Sequence, residues 1–311
     1  MSTYSEEQLC RYLAHIRFDD DPMRQDALRL ALVKDPLQLL GTLMLYHRAR
    51  VPFESLSLHY SSARFLSLDP EDLYHKIVER GRGGYCMEVN TFFATVLRTL
   101  GYSVISSAGR VNVDGTYIGW NHMVNLVTIL GKRYLVDVGF GSKGPNTPIL
   151  LEPGGSYGIP PAMVKLEYRA LSIHTDPDQR VWVLSSQENY QTETPWKELY
   201  AFVETEYFRA DFEIMNLATM TAPQSFFVQN VMCVRTILDE KLGQSIGEII
   251  LHRDYVKRRV AGSDPEILET LETEAQRVEA LKKYFDIELS PAEQRAIRGL
   301  ASQLVPKAGH A

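Results

Sequence analysis

Cysteine is scarce in this sequence, and its three cysteines, Cys10, Cys86 and Cys233, lie far apart. No two of them form a CxxC pair, and no cysteine and histidine have the spacing of a zinc site. We therefore expect reduced thiols and no metal site.

Long apolar runs and an excess of positive charge are also missing. No run of about 18 apolar residues, the length of a membrane-spanning helix, occurs in the sequence. Residues 1–8 lack the basic residue and apolar core of a secretory signal. The net charge of −6 and the pI near 5.8 argue against a general nucleic-acid binder. We expect a cytoplasmic protein that binds neither nucleic acid nor membranes.

Internal repeats, low-complexity linkers and parallel βαβ units are absent as well. What is present is a change of pattern along the chain. Apolar spacing of three and four over residues 37–47, and the cap signal Asp69-Pro70, predict helices in the first hundred residues. Alternating, β-branched segments then predict an antiparallel sheet or barrel with strands at 102–110, 121–129, 133–138, 164–173 and 181–185.

Helical patterns return from about residue 194, and residues 202–234 are mixed in pattern. Two cap signals, Asp264-Pro265 and Ser290-Pro291, predict the starts of late helices.

Cys86 follows two glycines and enters an apolar segment that ends before Gly101. Gly83 and Gly84 allow backbone angles closed to other residues and leave room beside the thiol. In the first turn of a helix, Cys86 would meet free N–H groups and the positive end of the helix dipole, which favour a thiolate. A buried structural cysteine is the alternative, and only a neighbouring base distinguishes the two.

Two charged residues near this loop suggest a clamp. Glu54 lies in the apolar segment 51–58, and Arg82 directly precedes the two glycines. A Glu54–Arg82 pair would hold the loop, whereas two separately solvated charges would not.

A predicted hairpin supplies the base. Residues 120–127 and 134–139 flank Leu130-Gly131, and with this two-residue loop the numbers of paired residues sum to an odd value. His122 and Asp137 then share a face, so that the ring N–H can satisfy the buried carboxylate. The other ring nitrogen could reach Cys86, giving a nucleophile, a base and an orienting acid. An ordinary His–Asp pair that stabilises the sheet is the alternative, and we expect packing or surface roles for the other seven histidines.

The segment from Gly139 to Gly144 matches the dinucleotide-binding pattern GxGxxG. Pro145 and Pro148 follow at once, so no helix can open there to hold a pyrophosphate. We therefore reject NAD and expect a binding loop beside the cleft.

Three segments, 82–86, 121–124 and 136–141, together resemble the signatures of the arylamine N-acetyltransferases. Residues 51–56 resemble a fourth family segment, with Ser55 where Asn is common, and residues 222–226 resemble the family's lid more weakly. The resemblance implies an α+β fold with a helical bundle over 1–100, an antiparallel β-barrel over 101–205, and an α/β lid with C-terminal helices over 206–311. It also implies a cysteine-protease-like triad of Cys86, His122 and Asp137.

The implied reaction is ping-pong acyl transfer through a Cys86 thioester, and xenobiotic detoxification is the implied role. Acetyl- or malonyl-coenzyme A would be the co-substrate, with no tightly bound cofactor, and an arylamine, arylhydrazine or N-hydroxyarylamine would be the acceptor. The implied coenzyme contacts are Thr116, Gly119, Gly139, Gly141 and Ser142. The implied substrate-pocket residues are Phe53, Tyr85 and Phe140.

The donor and the assembly are left open at this point. Lys132, Arg133 or Lys143 could meet the second carboxylate of a malonyl group, and the protein is expected to be a monomer or a weak homo-oligomer. The same triad serves papain-like proteases and transglutaminases, so a hydrolase is one alternative. A catalytically silent binding protein is the other.

Overall fold

The computed structural model describes residues 2–18, 25–159, 162–188 and 194–305. Helices dominate the first hundred residues, as expected. They are α1 (Glu6–His15), α2 (Gln25–Lys34), α3 (Pro36–Arg50), α4 (Pro70–Tyr74), which continues into a π-helical turn (His75–Glu79), and α5 (Cys86–Thr99), with a short strand, β1 (Phe53–Glu54), between α3 and α4.

Caps and apolar spacing explain these helices. Asp35 and Asp69 accept hydrogen bonds from backbone N–H groups in the first turn, and each is followed by a proline at the first helical position. The predicted helix start at Asp69-Pro70 is thereby confirmed. Phe92, Phe93 and Val96 of α5 are fully buried in the core that the helices share with the neighbouring sheet.

An antiparallel, nearly closed barrel follows. Its strands are β2 (Ser103–Val113), β3 (Thr116–Tyr117), β4 (His122–Ile129), β5 (Lys132–Val136), β6 (Ile149–Leu150), β7 (Ser156–Ile159), β8 (Ala162–Arg169), β9 (Val181–Glu188) and β10 (Lys197–Phe202). The order is β6-β5-β4-β2-β10-β9-β8-β7, with β3 paired to β2. Leu151 N–H donates to the Arg133 carbonyl and Gly154 N–H donates to the Leu166 carbonyl, which brings the two sheet edges together. All five predicted strands are present, with shifted ends.

The β4–β5 hairpin has the predicted loop and register. Ile129 pairs with Lys132 and Asn125 pairs with Val136, so the paired numbers sum to an odd value. Leu130 and Gly131 have φ values of 49° and 77°, as a type I′ turn requires. The parity argument that places His122 and Asp137 on one face is therefore confirmed.

The C-terminal third contains a second antiparallel sheet, whose strands the sequence pattern did not locate. Its elements are α6 (Arg209–Thr221), α7 (Phe226–Gln229), β11 (Met232–Asp239), β12 (Gln244–His252), β13 (Tyr255–Val260), β14 (Glu266–Thr270), α8 (Glu274–Phe285) and α9 (Pro291–Ala296). The sheet order is β1-β11-β12-β13-β14. Strand β1 lies before the predicted nucleophile loop, residues 82–86, and it joins that part of the chain to this sheet, because Phe53 pairs with Val234.

Two expectations for this region are corrected. Residues after 194 first form strand β10, and Asp264-Pro265 precedes strand β14 instead of a helix. Strand β14 pairs with β13, and Glu266 forms an ion pair with Arg258 at 2.6 Å, so tertiary pairing overrides the local cap signal. The predicted start at Ser290-Pro291 is confirmed by α9.

Candidate active site

Cys86 is the first residue of α5, as predicted. Its side chain is almost fully buried, and Sγ lies 3.7 Å from the Asn121 carbonyl oxygen. The Glu88 carboxylate accepts a hydrogen bond from the Tyr85 N–H and caps the helix start. Burial raises the pKa of the Cys233 thiol well above its ordinary value. Of the two buried thiols, only Cys86 lies at a helix start.

The two glycines before Cys86 serve close packing, and the expectation of unusual backbone angles there is wrong. A Cβ on Gly83 would lie 1.7 Å from the Pro52 carbonyl oxygen, and one on Gly84 would lie 2.6 Å from the Glu88 carboxylate. Neither glycine has a positive φ. Gly84 instead exchanges backbone hydrogen bonds with the 52–54 segment. The space beside the two glycines is therefore filled by that segment and not left for an acyl group.

The Glu54–Arg82 pair is present and buried. Arg82 Nη2 lies 3.2 Å from Glu54 Oε1, and the same oxygen accepts from the Gly83 N–H at 3.3 Å. Burial raises the pKa of Glu54, but Arg82 and the backbone donors outweigh it, so the net shift is downward. Arg82 also contacts Glu293 of α9 at 3.3 Å. The C-terminal helix therefore holds the nucleophile loop from its outer side.

His122 and Asp137 form the second buried pair. His122 Nε2 lies 2.8 Å from Asp137 Oδ2. The other carboxylate oxygen accepts from Asn90 Nδ2 at 2.9 Å and from the Gly139 N–H at 2.8 Å. Three donors thus satisfy one buried carboxylate, and both ends of the pair are withdrawn from solvent.

Asn90 is the residue that the sequence reading missed. It lies four residues after Cys86, hence on the same face of α5. Besides donating to Asp137, it accepts from the Val138 N–H at 3.0 Å. The signal available in the sequence was an amide four residues after Cys86, on the same face of the helix.

The charges and hydrogen bonds around His122 favour the protonated form of its ring. Burial alone lowers the pKa of His122, but the Asp137 charge and hydrogen bond raise it, as do the hydrogen bond and charge of Cys86, and the net value is about 10. Burial likewise raises the pKa of Asp137, and His122, Asn90 and the Gly139 N–H lower it by more. At neutral pH the site holds an imidazolium between a carboxylate and the Cys86 sulfur.

The loop after Asp137 is anchored by Arg48 of α3. The buried guanidinium donates to the Gly141 carbonyl and to Asn146 Oδ1, each at 2.8 Å. A Cβ on Gly139 would lie 2.7 Å from Cys86 Cα, so this glycine is required for the loop to pass the nucleophile. The loop is followed by strand β6 and not by a helix, as Pro145 and Pro148 predicted.

The other expected site residues fall into two groups. Phe53 and Tyr85 share an apolar cluster with Cys86, and both rings contact Phe227 of α7. Phe140 packs edge-on against His122, with ring centroids 5.4 Å apart. The remaining residues lie on the loop after Asp137 and at the β2–β3 hairpin: Gly141 against Phe53, Ser142 donating to Glu248, and Thr116 and Gly119 exposed at and after the hairpin.

A cavity of about 450 Å³ lies elsewhere, lined by Arg82, Glu88 and Glu293 but not by Cys86. It is a feature of the outer side of the nucleophile loop. Within the residues that the structure describes, no set of three or more His, Cys, Asp or Glu side chains could hold a metal ion. Nor is any helix in those ranges long and apolar enough to cross a bilayer.

We expect the His122 ring to remain protonated at pH 8, because its pKa in the fold, about 10, exceeds the ordinary value of 6.5. This proton stabilises the fold fully below about pH 6.5, and the contribution is lost as the pH rises towards 10. Nitrogen-15 spectra of histidine-labelled protein measure the ring directly. Asp137→Asn is the control and should move the transition to lower pH. A neutral ring in the wild type at pH 7 would contradict this picture.

Glu54→Gln should destabilise the protein by about 2–4 kcal/mol, because it removes the buried one of the two carboxylates that pair with the buried Arg82 charge and leaves only Glu293. Urea unfolding provides the free energy. The matched control is Glu240→Gln, which breaks an ion pair with Arg50 in which Glu240 is 61% exposed and should change stability by no more than about 0.5 kcal/mol. Equal effects of the two substitutions would show that the clamp contributes nothing.

Comparisons with known proteins identify the family of this chain. A sequence profile described as N-acetyltransferase matches residues 36–295. The chain is 37% identical over 321 aligned residues to the N-malonyltransferase FDB2 of Gibberella moniliformis, covering 94% of this chain and 92% of that protein.

Two solved structures share the fold. The arylamine N-acetyltransferase of Mycobacterium abscessus aligns with a TM-score of 0.78 at 24% identity, over 93% of each chain. That of Mycobacterium marinum in complex with CoA aligns with a TM-score of 0.73 at 27% identity, over 93% of this chain and 97% of the other. The chain therefore belongs to the arylamine N-acetyltransferase family and is an acyl-coenzyme A-dependent N-acyltransferase.

Proposed function

We propose that this enzyme transfers a malonyl group from malonyl-coenzyme A to the nitrogen of an arylamine, through a thioester on Cys86. The observation that carries the mechanism is the buried His122–Asp137 pair beside the thiol at the start of α5. The similarity to an N-malonyltransferase over nearly the whole chain favours malonyl over acetyl as the acyl group. Detoxification of xenobiotic amines is the role that we infer from this activity.

The first half-reaction loads Cys86. With His122 protonated, the sulfur is held as a thiolate, which attacks the thioester carbonyl of the donor. The bond between that carbon and the coenzyme sulfur breaks, and His122 gives its proton to the departing coenzyme thiolate. Backbone N–H groups at the start of α5 stabilise the tetrahedral oxyanion.

The second half-reaction unloads Cys86. The amine nitrogen attacks the acyl carbon, the neutral His122 takes a proton from that nitrogen, and the Cys86 thiolate leaves. The products are an amide and the original thiolate–imidazolium pair. Phe53, Tyr85 and Phe140 would supply apolar contacts to the aromatic acceptor, and the glycine-rich loop with Thr116 and Gly119 would lie along the coenzyme.

The division of labour among domains follows. The helical part, 1–100, would carry the nucleophile, the barrel, 101–205, would carry the base and its orienting acid, and the lid, 206–311, would cover the cleft. Cys86 is only 3% exposed, and Phe227 of the lid lies against Phe53 and Tyr85. Such a cover suits a small acceptor better than the extended groove of a protease.

A matrix of donors and acceptors tests this function. Acetyl-, propionyl- and malonyl-coenzyme A are each varied against anilines, aminophenols and hydrazines, with release of free coenzyme A as the signal. We expect parallel lines in double-reciprocal plots, a preference for the malonyl donor, and no turnover in Cys86→Ser. Intersecting lines, or turnover that survives Cys86→Ser, would rule out the thioester route.

Asp137→Asn should lower kcat by a factor on the order of 10² to 10⁴. The new amide can still accept from Asn90 and Gly139 through its oxygen, but its NH₂ group would then face His122 Nε2. To accept a hydrogen bond from this NH₂ group, Nε2 of the neutral ring must carry no proton. The ring proton then lies on Nδ1 and faces the sulfur, so that His122 can no longer act as the base. Steady-state kinetics with a melting curve measure both effects, and near-normal turnover would refute the assignment of Asp137.

A further inference from the structure

A malonyl group carries a carboxylate beyond its thioester, so a selective site needs a cation within reach of Cys86. This question rests on the proposed function. Two of the cations suggested by the sequence lie too far away: Lys132 and Arg133 begin β5 at the turn end of the hairpin, whereas His122 begins β4. Seven residues of strand separate His122 from the Ile129–Lys132 pair, roughly 23 Å at about 3.3 Å per residue.

The other basic side chains near the site are engaged. Lys143 forms an ion pair with Glu188. The Arg48 guanidinium donates hydrogen bonds to a carbonyl oxygen and a side-chain amide oxygen in and after the glycine-rich loop. Arg82 forms ion pairs with two glutamates. None of these three is free to take a substrate carboxylate.

Arg110 lies on β2, between the two residues that hydrogen-bond to Asn121, the residue whose carbonyl oxygen is near the thiol. Its neighbour Gly109 lies opposite His122. Asn121 bonds to the residues on both sides of Arg110: its N–H donates to the Gly109 carbonyl, and its side-chain oxygen accepts from the Val111 N–H, each at 3.1 Å. The carbonyl oxygen of the same Asn121 lies 3.7 Å from Cys86 Sγ.

The side chain of Arg110 lies on the face of the sheet that meets the nucleophile helix. Residues two apart on a strand share a face, so Arg110 shares its face with Ala108. Ala108 and its partner Met123 belong to the same buried cluster as Cys86. Arg110 therefore stands at the edge of the apolar surroundings of the thiol.

The guanidinium of Arg110 is held in place but has no counter-ion. Its Cζ lies 4.0 Å from the centroid of the Trp120 ring, and one nitrogen donates to the Ile118 carbonyl at 3.4 Å. Across the described ranges of the chain, no carboxylate lies within ion-pairing distance of it. Trp120 in turn packs on Tyr207 and against the cluster around Cys86. Stacking on an aromatic face leaves the N–H edge of a guanidinium available for a carboxylate.

We propose that Arg110, stacked on Trp120, binds the free carboxylate of the malonyl group and thereby sets the donor preference of the enzyme. The carboxylate is a spectator in the reaction, so Arg110 is a specificity residue and takes no part in proton transfer. It contacts the acyl group both in the donor and in the Cys86 thioester.

The test compares donors within each variant. In Arg110→Met, kcat/KM for malonyl-coenzyme A should fall about tenfold to a hundredfold relative to kcat/KM for acetyl-coenzyme A, the effect of losing one charge-assisted contact. Arg110→Gln is the second variant, should methionine disturb folding, and circular dichroism checks both. Arg298→Met removes an exposed arginine elsewhere and should leave the ratio unchanged.

The outcomes separate cleanly. An equal loss of kcat/KM with both donors would mean that Arg110 contacts the coenzyme itself, and unchanged kcat/KM values with both donors would mean that it contacts neither; each result overturns the proposal. Failure of the proposed function appears in the wild type instead, as absence of Cys86-dependent turnover with any donor. If the wild type is active with both donors, a selective loss of kcat/KM for the malonyl donor in the Arg110 variants supports Arg110 as the residue that binds the carboxylate.

Discussion

One buried carboxylate holds the site together. Asp137 receives hydrogen bonds from three parts of the fold: His122 at the start of β4, Asn90 on the nucleophile helix, and the N–H of Gly139 in its own loop. An ionised carboxylate withdrawn from water costs several kcal/mol unless such donors are present. The barrel and α5 can therefore bury this charge only in the arrangement that also brings the imidazole to the sulfur of Cys86.

The opposite side of the nucleophile loop depends on a second buried charge. Glu54 ties Arg82 and the Gly83 N–H to strand β1, and β1 is an edge strand of the C-terminal sheet. Through β1 the C-terminal sheet is thus hydrogen-bonded to the loop before Cys86. The glycines complete this packing, because side chains at Gly83 or Gly139 would collide with Pro52 or with Cys86.

Local patterns predicted the elements except where pairing with a distant strand overrode them, and most contacts between distant segments gave no signal in the sequence. The hairpin parity worked because Leu130-Gly131 fixes the loop length and every later pair follows from it. The cap at Asp264-Pro265 misled because pairing of β14 with β13 outweighs a local preference. Gly83 was expected to adopt backbone angles closed to other residues. It is needed instead because a side chain there would collide with Pro52, about thirty residues earlier. Arg48 carried no sequence signal, since its partners lie about ninety residues later.

The proposed thioester on Cys86 is the point on which function, mechanism and donor preference all depend. Its most direct measurement is peptide mass spectrometry of the protein incubated with malonyl-coenzyme A in the absence of any amine. The proposed function predicts one malonyl group on the peptide that contains Cys86, lost when an arylamine is added, with no such group on Cys10 or Cys233. A Cys86 peptide that stays unmodified while free coenzyme A and acylated amine accumulate would contradict the account.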